Sequence, residues 1–287
     1  MPVNTYIVKG FDVSLYCKIT NERNEKGMIY TISFGGKNNF CFVSSINPKK
    51  PFEVYIVNIE YNEACLKDAK LEERGGIVKL VRIALWTIKH MFPEILRFTF
   101  TDSSHIDCIK GIKTHKLNLA YDYILKYNQT WYEKQFNAKL PGSITDDSCM
   151  INSLMCVYKL SLLVLDEPVE PFTIIKDKIN ISEKYKHEYE TSKSPRDFIN
   201  KLRDKYKDEY CIEVSKWLSR YMKALEIKIF QESWYIDTAS VKEPPHYSKN
   251  ITNNLLRGGF TRKNYKKNKF SSFEGEESNI GYYNTFE

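Results

Sequence analysis

Residues 52–101 constrain the fold more than any other stretch. FEVYIVNI (residues 52–59) is nearly all apolar, as in a central strand covered on both faces. A charged loop follows, and then Gly75-Gly76 opens IVKLVRIALWTIKHM. There Ile77, Leu80, Val81, Ala84, Leu85, Ile88 and Met91 repeat with the 3.6-residue period of an amphipathic helix, which Pro93 stops. RFTFT (residues 97–101) reads as a strand again. Strand, helix and strand in this order make a βαβ unit, whose two strands run parallel.

Around this unit the pattern alternates between strand and helix text. Residues 13–19 and 28–34 read as strands, with residues 20–26 as a polar loop. A turn at Gly35-Gly36-Lys37-Asn38 sends residues 40–44 back as the second arm of a hairpin. Residues 117–127 read as a strand from their Tyr, Ile and Leu content. Thr130-Trp131-Tyr132-Glu133 is a capping box that starts a short helix. Leu140-Pro141-Gly142-Ser143 marks a domain boundary, after which helices dominate. Residues 151–165 form one, residues 167–171 (EPVEP) are a rigid linker, and Ser194-Pro195 starts the next. Residues 198–230 hold no Gly or Pro and fit one long helix or two abutting ones. The expected fold is α+β: a central mixed, mostly antiparallel sheet with flanking helices (1–140), a helix-rich C-terminal extension (141–245) and a disordered tail (246–287).

Composition limits the function classes. The 287 residues are 42% hydrophobic and 14% aromatic, enough to build a sizeable core. A net charge of +7 permits an anionic partner without demanding one. The tail segregates charge: residues 246–273 hold seven Lys or Arg and no acid, and residues 274–287 hold four Glu and no base. That pattern reads as disorder with weak nucleic-acid contact. The seven cysteines include no CxxC pair and mostly lie in apolar text, so they read as reduced, buried hydrophobes. Five scattered histidines offer no metal-ligand spacing. The N-terminal text lacks a signal-peptide pattern and the longest apolar run is short, which reads as a soluble cytoplasmic protein.

Three local features carry chemistry. At Glu73-Arg74-Gly75-Gly76-Ile77-Val78-Lys79 the amides of a helix N-terminus could meet a phosphate, with Arg74 and Lys79 adding charge. The plainer alternative is a tight turn into a core helix, since neither GxxxxGK[ST] nor GxGxxG is present. Tyr132 could serve as a general acid, or it could be a packed aromatic beside Trp131 and Phe136. Asp102-Ser103-Ser104-His105 holds hydrolase-type side chains but lacks GxSxG.

The order of elements resembles the GNAT superfamily of acyl-CoA-dependent N-acyltransferases. The hairpin of residues 28–44 with FEVYIVNI looks like that fold's central strands. ERGGIVKLVRIALWTIKHMFPEILRFTFTD looks like its pyrophosphate loop, helix and next strand, and TWYEKQFNA looks like its FYEKxGF stretch. The resemblance implies acetyl-CoA in a splay between the strand ending near Ile59 and the strand at residues 97–101. Its pyrophosphate would meet the amides of Gly75, Gly76, Ile77, Val78 and Lys79. Tyr132 would be the general acid, and Glu60 or Glu63 the base. The sequence departs from the family's [QR]xxGx[GA] loop, with Glu73 at its first position and Val78 at its last. The alternative is an inactive scaffold of the same fold, an interaction or virion-associated structural protein that binds a protein partner through residues 141–245. The Tyr- and Asn-rich text and the GGFTRKNYKKNK tail are also similar in style to proteins of large cytoplasmic DNA viruses.

Overall fold

Alternating side chains and short turns build the first five strands in succession. They are β1 (Val3–Gly10), β2 (Val13–Asn24), β3 (Gly27–Gly35), β4 (Phe40–Ile46) and β5 (Glu53–Ile59), each antiparallel to the one before. The computed structural model describes residues 3–24, 27–47, 49–60, 63–73, 75–110, 113–141, 153–230 and 234–251. Arg74 and nearly all of the tail, from residue 252 on, lie outside them.

After β5 come α1 (Glu63–Asp68), α2 (Gly76–Met91) and β6 (Arg97–Phe100), and β6 lies parallel to β5. A separate antiparallel hairpin follows, β7 (His105–Lys110) and β8 (Lys113–Asn118). Next are α3 (Leu119–Tyr127), α4 (Trp131–Phe136), α5 (Leu154–Ser161), α6 (Phe172–Ile179), α7 (Lys186–Glu190), α8 (Pro195–Tyr206), α9 (Tyr210–Ser215) and α10 (Leu218–Ala224). Two more strands, β9 (Trp234–Asp237) and β10 (Ser248–Ile251), end the described chain. The large sheet has eight strands in the order β10-β1-β2-β3-β4-β5-β6-β9, all antiparallel except the β5–β6 pair.

The core lies on one face of this sheet. Val8, Leu15, Cys17, Ile32, Phe34, Phe42, Val54, Phe98 and Trp234 are buried there, and α2 crosses β1, β3 and β4. Gly10 permits the crossing, because a Cβ on it would press against Ile83 of α2. Phe100 meets Tyr132 of α4, and Trp234 meets Tyr158 of α5 edge-on. β5 therefore does not match a strand covered on both faces. Val54 and Ile56 are buried, but Tyr55 and Val57 remain 44% and 54% exposed. Its apolar text reflects one core face and one bare face.

Helix and strand limits also differ from the sequence reading. The stretch 117–127 is the end of β8 followed by α3. Asn118 caps that helix by accepting from the Tyr121 amide, and Tyr121, Ile124 and Leu125 are its buried stripe. Residues 198–230 are broken into α8, α9 and α10, the first break falling at Lys207 with a positive φ of 42°. Lys139 pairs with Tyr235 of β9 across the expected boundary at residue 140, and residues 1–252 form one compact unit. The folded part does not end at Pro245, because β10 pairs with β1 from Tyr6↔Ile251 to Lys9↔Ser248. Tail residues 246–251 therefore belong to the fold.

Polar clasps join the helical half to the rest. Arg196 donates to the carbonyls of Ile124 and Leu125 at 2.9 and 2.7 Å, which caps the end of α3, and pairs with Asp166. Asp122 of α3 accepts from Arg203 and from the Tyr210 hydroxyl, both at 2.9 Å.

The cysteines overturn the expectation of reduced thiols. Cys41–Cys65 joins β4 to α1, and Cys108–Cys211 joins β7 to α9. Cys156 is also disulfide-bonded, while Cys17 is free and buried. The sequence separations of 24 and 103 residues correspond to about 3.5 and about 4.7 kcal/mol of lost unfolded-state entropy. Spacing could not reveal these pairs, because each joins elements that only the tertiary fold brings together. No helix among the described residues is long and apolar enough to cross a membrane.

A chain ended at Pro245 loses β10, the packing of Tyr247 on Trp86 and that of Lys249 over Tyr6. It should unfold about 3 kcal/mol more readily in urea than a chain ended at Thr252. Equal midpoints would show that β10 lies outside the cooperative unit.

Candidate functional site at the ends of the parallel strands

β5 outruns its parallel neighbour. The two strands pair from Glu53↔Arg97 to Ile56↔Phe100. The chain then leaves the sheet after Phe100, while β5 continues to Ile59. On the other side of β5 the register passes from Ser44↔Ile56 to Val43↔Asn58, so Val57 sits in a bulge. Residues 57–59 thus present main-chain groups along a notch that β6 does not fill. Ligands of open sheets with parallel strands characteristically bind beyond the carboxyl ends of those strands.

The expected site residues fall around this notch unevenly. Ile59 is half-buried at the end of β5. Glu60 follows it with an exposed side chain, its amide donating to the Cys41 carbonyl at 2.8 Å and its carboxylate accepting from Asn58 at 3.4 Å. Tyr132 is buried in the first turn of α4, its ring 4.4 Å from that of Phe100 at the end of β6. The capping box that sets this turn forms: the Thr130 hydroxyl accepts from the Glu133 amide, and Glu133 accepts from the Thr130 amide at 2.6 Å.

The glycine turn is arranged differently from an open amide cradle. Gly75 is the N-cap of α2 at φ 89°, in the left-handed region. The Gly76 amide donates to Glu73, and the Val78 and Lys79 amides both donate to the Gly75 carbonyl. Lys79 pairs with Glu73. A Cβ on Gly76 would overlap the Leu71 carbonyl, whereas one on Gly75 would meet nothing. Gly76 therefore answers a packing constraint and Gly75 a conformational one. Ile77 and Val78 are half-buried at the start of the helix.

Asp102, given little weight by sequence, lies where β6 leaves the sheet and is only 2% exposed. One carboxylate oxygen accepts from the Ser104 hydroxyl at 2.5 Å and from its amide at 3.2 Å. The other is buried without a hydrogen-bond partner. Burial pushes the Asp102 carboxyl above the usual carboxylate range; the Ser104 bonds oppose this, and the Glu133 charge adds to it. Burial also raises the Tyr132 hydroxyl, and the Asp102 charge raises it further. Behind them, Glu133 accepts from the Tyr158 hydroxyl at 2.7 Å and from Lys159 at 2.6 Å. Burial, and after it the charge of Glu133, push the Tyr158 hydroxyl upward as well. The arrangement holds phenolic protons firmly and keeps a proton on Asp102 to higher pH than water would. Such groups can donate hydrogen bonds, and a phenol held this firmly stays protonated. Only the contrast between a buried DSSH turn and its polar text could have marked Asp102, and burial is not readable locally.

No group of His, Cys, Asp or Glu among the described residues could hold a metal ion. No protein-family profile, curated protein or solved structure matches the chain.

Two outcomes check this site. Because its folded value is raised, Asp102 contributes stability that is fully present below the ordinary carboxylate range near pH ~4 and is lost as pH rises through the raised value. Wild type should therefore lose stability relative to Asp102→Asn as pH increases from 4 to 7, and a pH-independent difference in urea melts would contradict it. Gly76→Ala should destabilise by about 3 kcal/mol through overlap, and Gly75→Ala by about 1–2 kcal/mol through its backbone angle. Equal small effects in thermal melts would refute the packing role of Gly76.

Proposed function

We propose that the chain binds an acyl-CoA-type thioester in the notch beside β5 and is a divergent N-acyltransferase-like protein. The observation that carries this reading is the extension of β5 past the last β6 rung, Ile56↔Phe100. Main-chain amides and carbonyls of residues 57–59 can pair there with an extended, amide-bearing ligand as a missing strand would. Tyr132 stands beside the end of β6 with its proton retained, as a group that protonates a leaving thiolate must. Glu60, exposed just past β5, would accept the proton that an acceptor amine loses as the new C–N bond forms.

A second reading, an inactive scaffold with the same architecture, draws on the glycine turn. Three of its amides are engaged within the turn, and Lys79 is already paired. The helical half also has a cleft of about 540 Å³ lined by apolar Val157, Leu160 and Leu225 together with charged Glu170, Lys178 and Lys228, which could take an amphipathic partner segment.

Titration calorimetry with CoA and acetyl-CoA separates the readings. The first expects saturable binding that Val57→Arg weakens at least ~10-fold by blocking the notch, because the exposed bulge tolerates the change. It also expects Tyr132→Phe to keep binding and to slow acyl transfer about 100-fold. Absence of heat with both ligands leaves the scaffold.

A further inference from the structure

We infer that this chain is a client of dithiol–disulfide exchange: its native fold is completed by a thiol–disulfide oxidoreductase that installs Cys41–Cys65 and Cys108–Cys211. Of the six described cysteines, five are bonded and Cys17 alone is free. The Cα–Cα distances of 6.0 and 5.6 Å lie within the span that a disulfide bridges. Cys108 and Cys211 lie 103 residues apart with two cysteines between them, so chance contact in the unfolded chain favours other partners for each. Correct partners meet only when α1 lies on β4 and α9 on the β7–β8 hairpin.

The free cysteine supports the same conclusion. Cys17 is fully buried under the sheet, and burial pushes its thiol up to about 12, against the weaker pull of the Lys249 charge. Little of it is the thiolate that attacks disulfides, so it does not scramble the bridges once they form. Among the described cysteines, one shielded, inert thiol is thus kept apart from five committed to bonds.

The two bridges hold different things. Cys41 and Cys65 are fully buried in the main core. Cys108–Cys211 instead fastens a two-stranded hairpin that is not part of the large sheet. Such a hairpin is at best marginal without support, and α9 and α3 supply its packing. The bridge keeps it there.

A thiolate of the chain attacks a sulfur of the donor's disulfide, forming a mixed disulfide and releasing one donor thiol. The second cysteine, as thiolate, displaces the other donor sulfur. Each bridge passes two electrons to the donor, which leaves as a dithiol with the two protons. Such bonds persist in oxidising surroundings, so the setting of this chain includes an oxidising thiol system.

The test uses the full chain, acid-quenched from the cells that make it and alkylated with N-ethylmaleimide in denaturant without reductant. Peptide mapping should recover Cys41 linked to Cys65 and Cys108 linked to Cys211. Full reduction followed by an oxidised thioredoxin-fold donor should restore the same two links. Alkylation of all seven cysteines in the quenched chain would overturn the inference, as would a random mixture of links after exchange. Hydrogen exchange of the reduced and oxidised wild type gives a second reading that needs no variant. Protection at residues 105–110 and 113–118 should fall at least about 100-fold on reduction. Unchanged protection would remove the structural role of the Cys108–Cys211 bond.

Discussion

Main-chain pairing at the two outer strands carries the architecture. β6 has only four residues and would be a fragile edge if β5 were its sole neighbour. β9 lies along its other side, Lys139 extends the pairing at Tyr235, and Trp234 passes beneath the sheet to Tyr158. At the far end β10 shields β1 in the same way. Both outer strands come from beyond residue 230, so the sheet is finished only when the helical half has folded back. The notch exists for the same reason. β9 stabilises the four residues of β6, and no strand among the described residues extends β6 to match β5.

The interior of the βαβ unit was legible because its signals are local. The period of α2, the stop near Pro93 and the parallel order follow from residues within one segment, and the Thr130–Glu133 capping box needs only four. What escaped depended on distant residues. The text of β5 does not reveal that one of its faces stays bare, because an apolar strand looks alike whether one layer or two covers it. Residues 117–127 combine strand-forming side chains with a helix cap, and Asn118 decides between them. The stretch 198–230 fitted one helix or two abutting ones, and not three, because a break at a lysine with positive φ carries no Gly or Pro marker. β10 was hidden in polar text whose partner is the first strand of the chain.

The site divides along the same line. Tyr132 could be placed from its cap, since the cap fixes the turn and the turn aims the ring at Phe100. Asp102 could not. What marks it is burial within reach of the Tyr132 hydroxyl's field, with one oxygen satisfied two residues away and the other by no described residue. The two groups also act on each other. A charged Asp102 makes the Tyr132 proton harder to remove, and a neutral one lowers the charge buried beside Glu133. The cluster therefore keeps its protons. A base for the proposed transfer must stand at the open side of the notch, where Glu60 is.

The glycine pair shows why a short motif leaves its function open. A phosphate cradle and a tight helix entry use the same two residues, for both require a left-handed residue followed by one without a side chain. They differ in where the amides point. In this chain those of Gly76, Val78 and Lys79 turn inward, and Lys79 is held by Glu73. A ligand with a diphosphate would gain less here than from an open cradle, and the main chain of residues 57–59 would have to supply more of its affinity. In the proposed binding mode the determinant thus moves from the helix end, which the sequence advertises, to a strand overhang visible only when β5 and β6 are laid side by side.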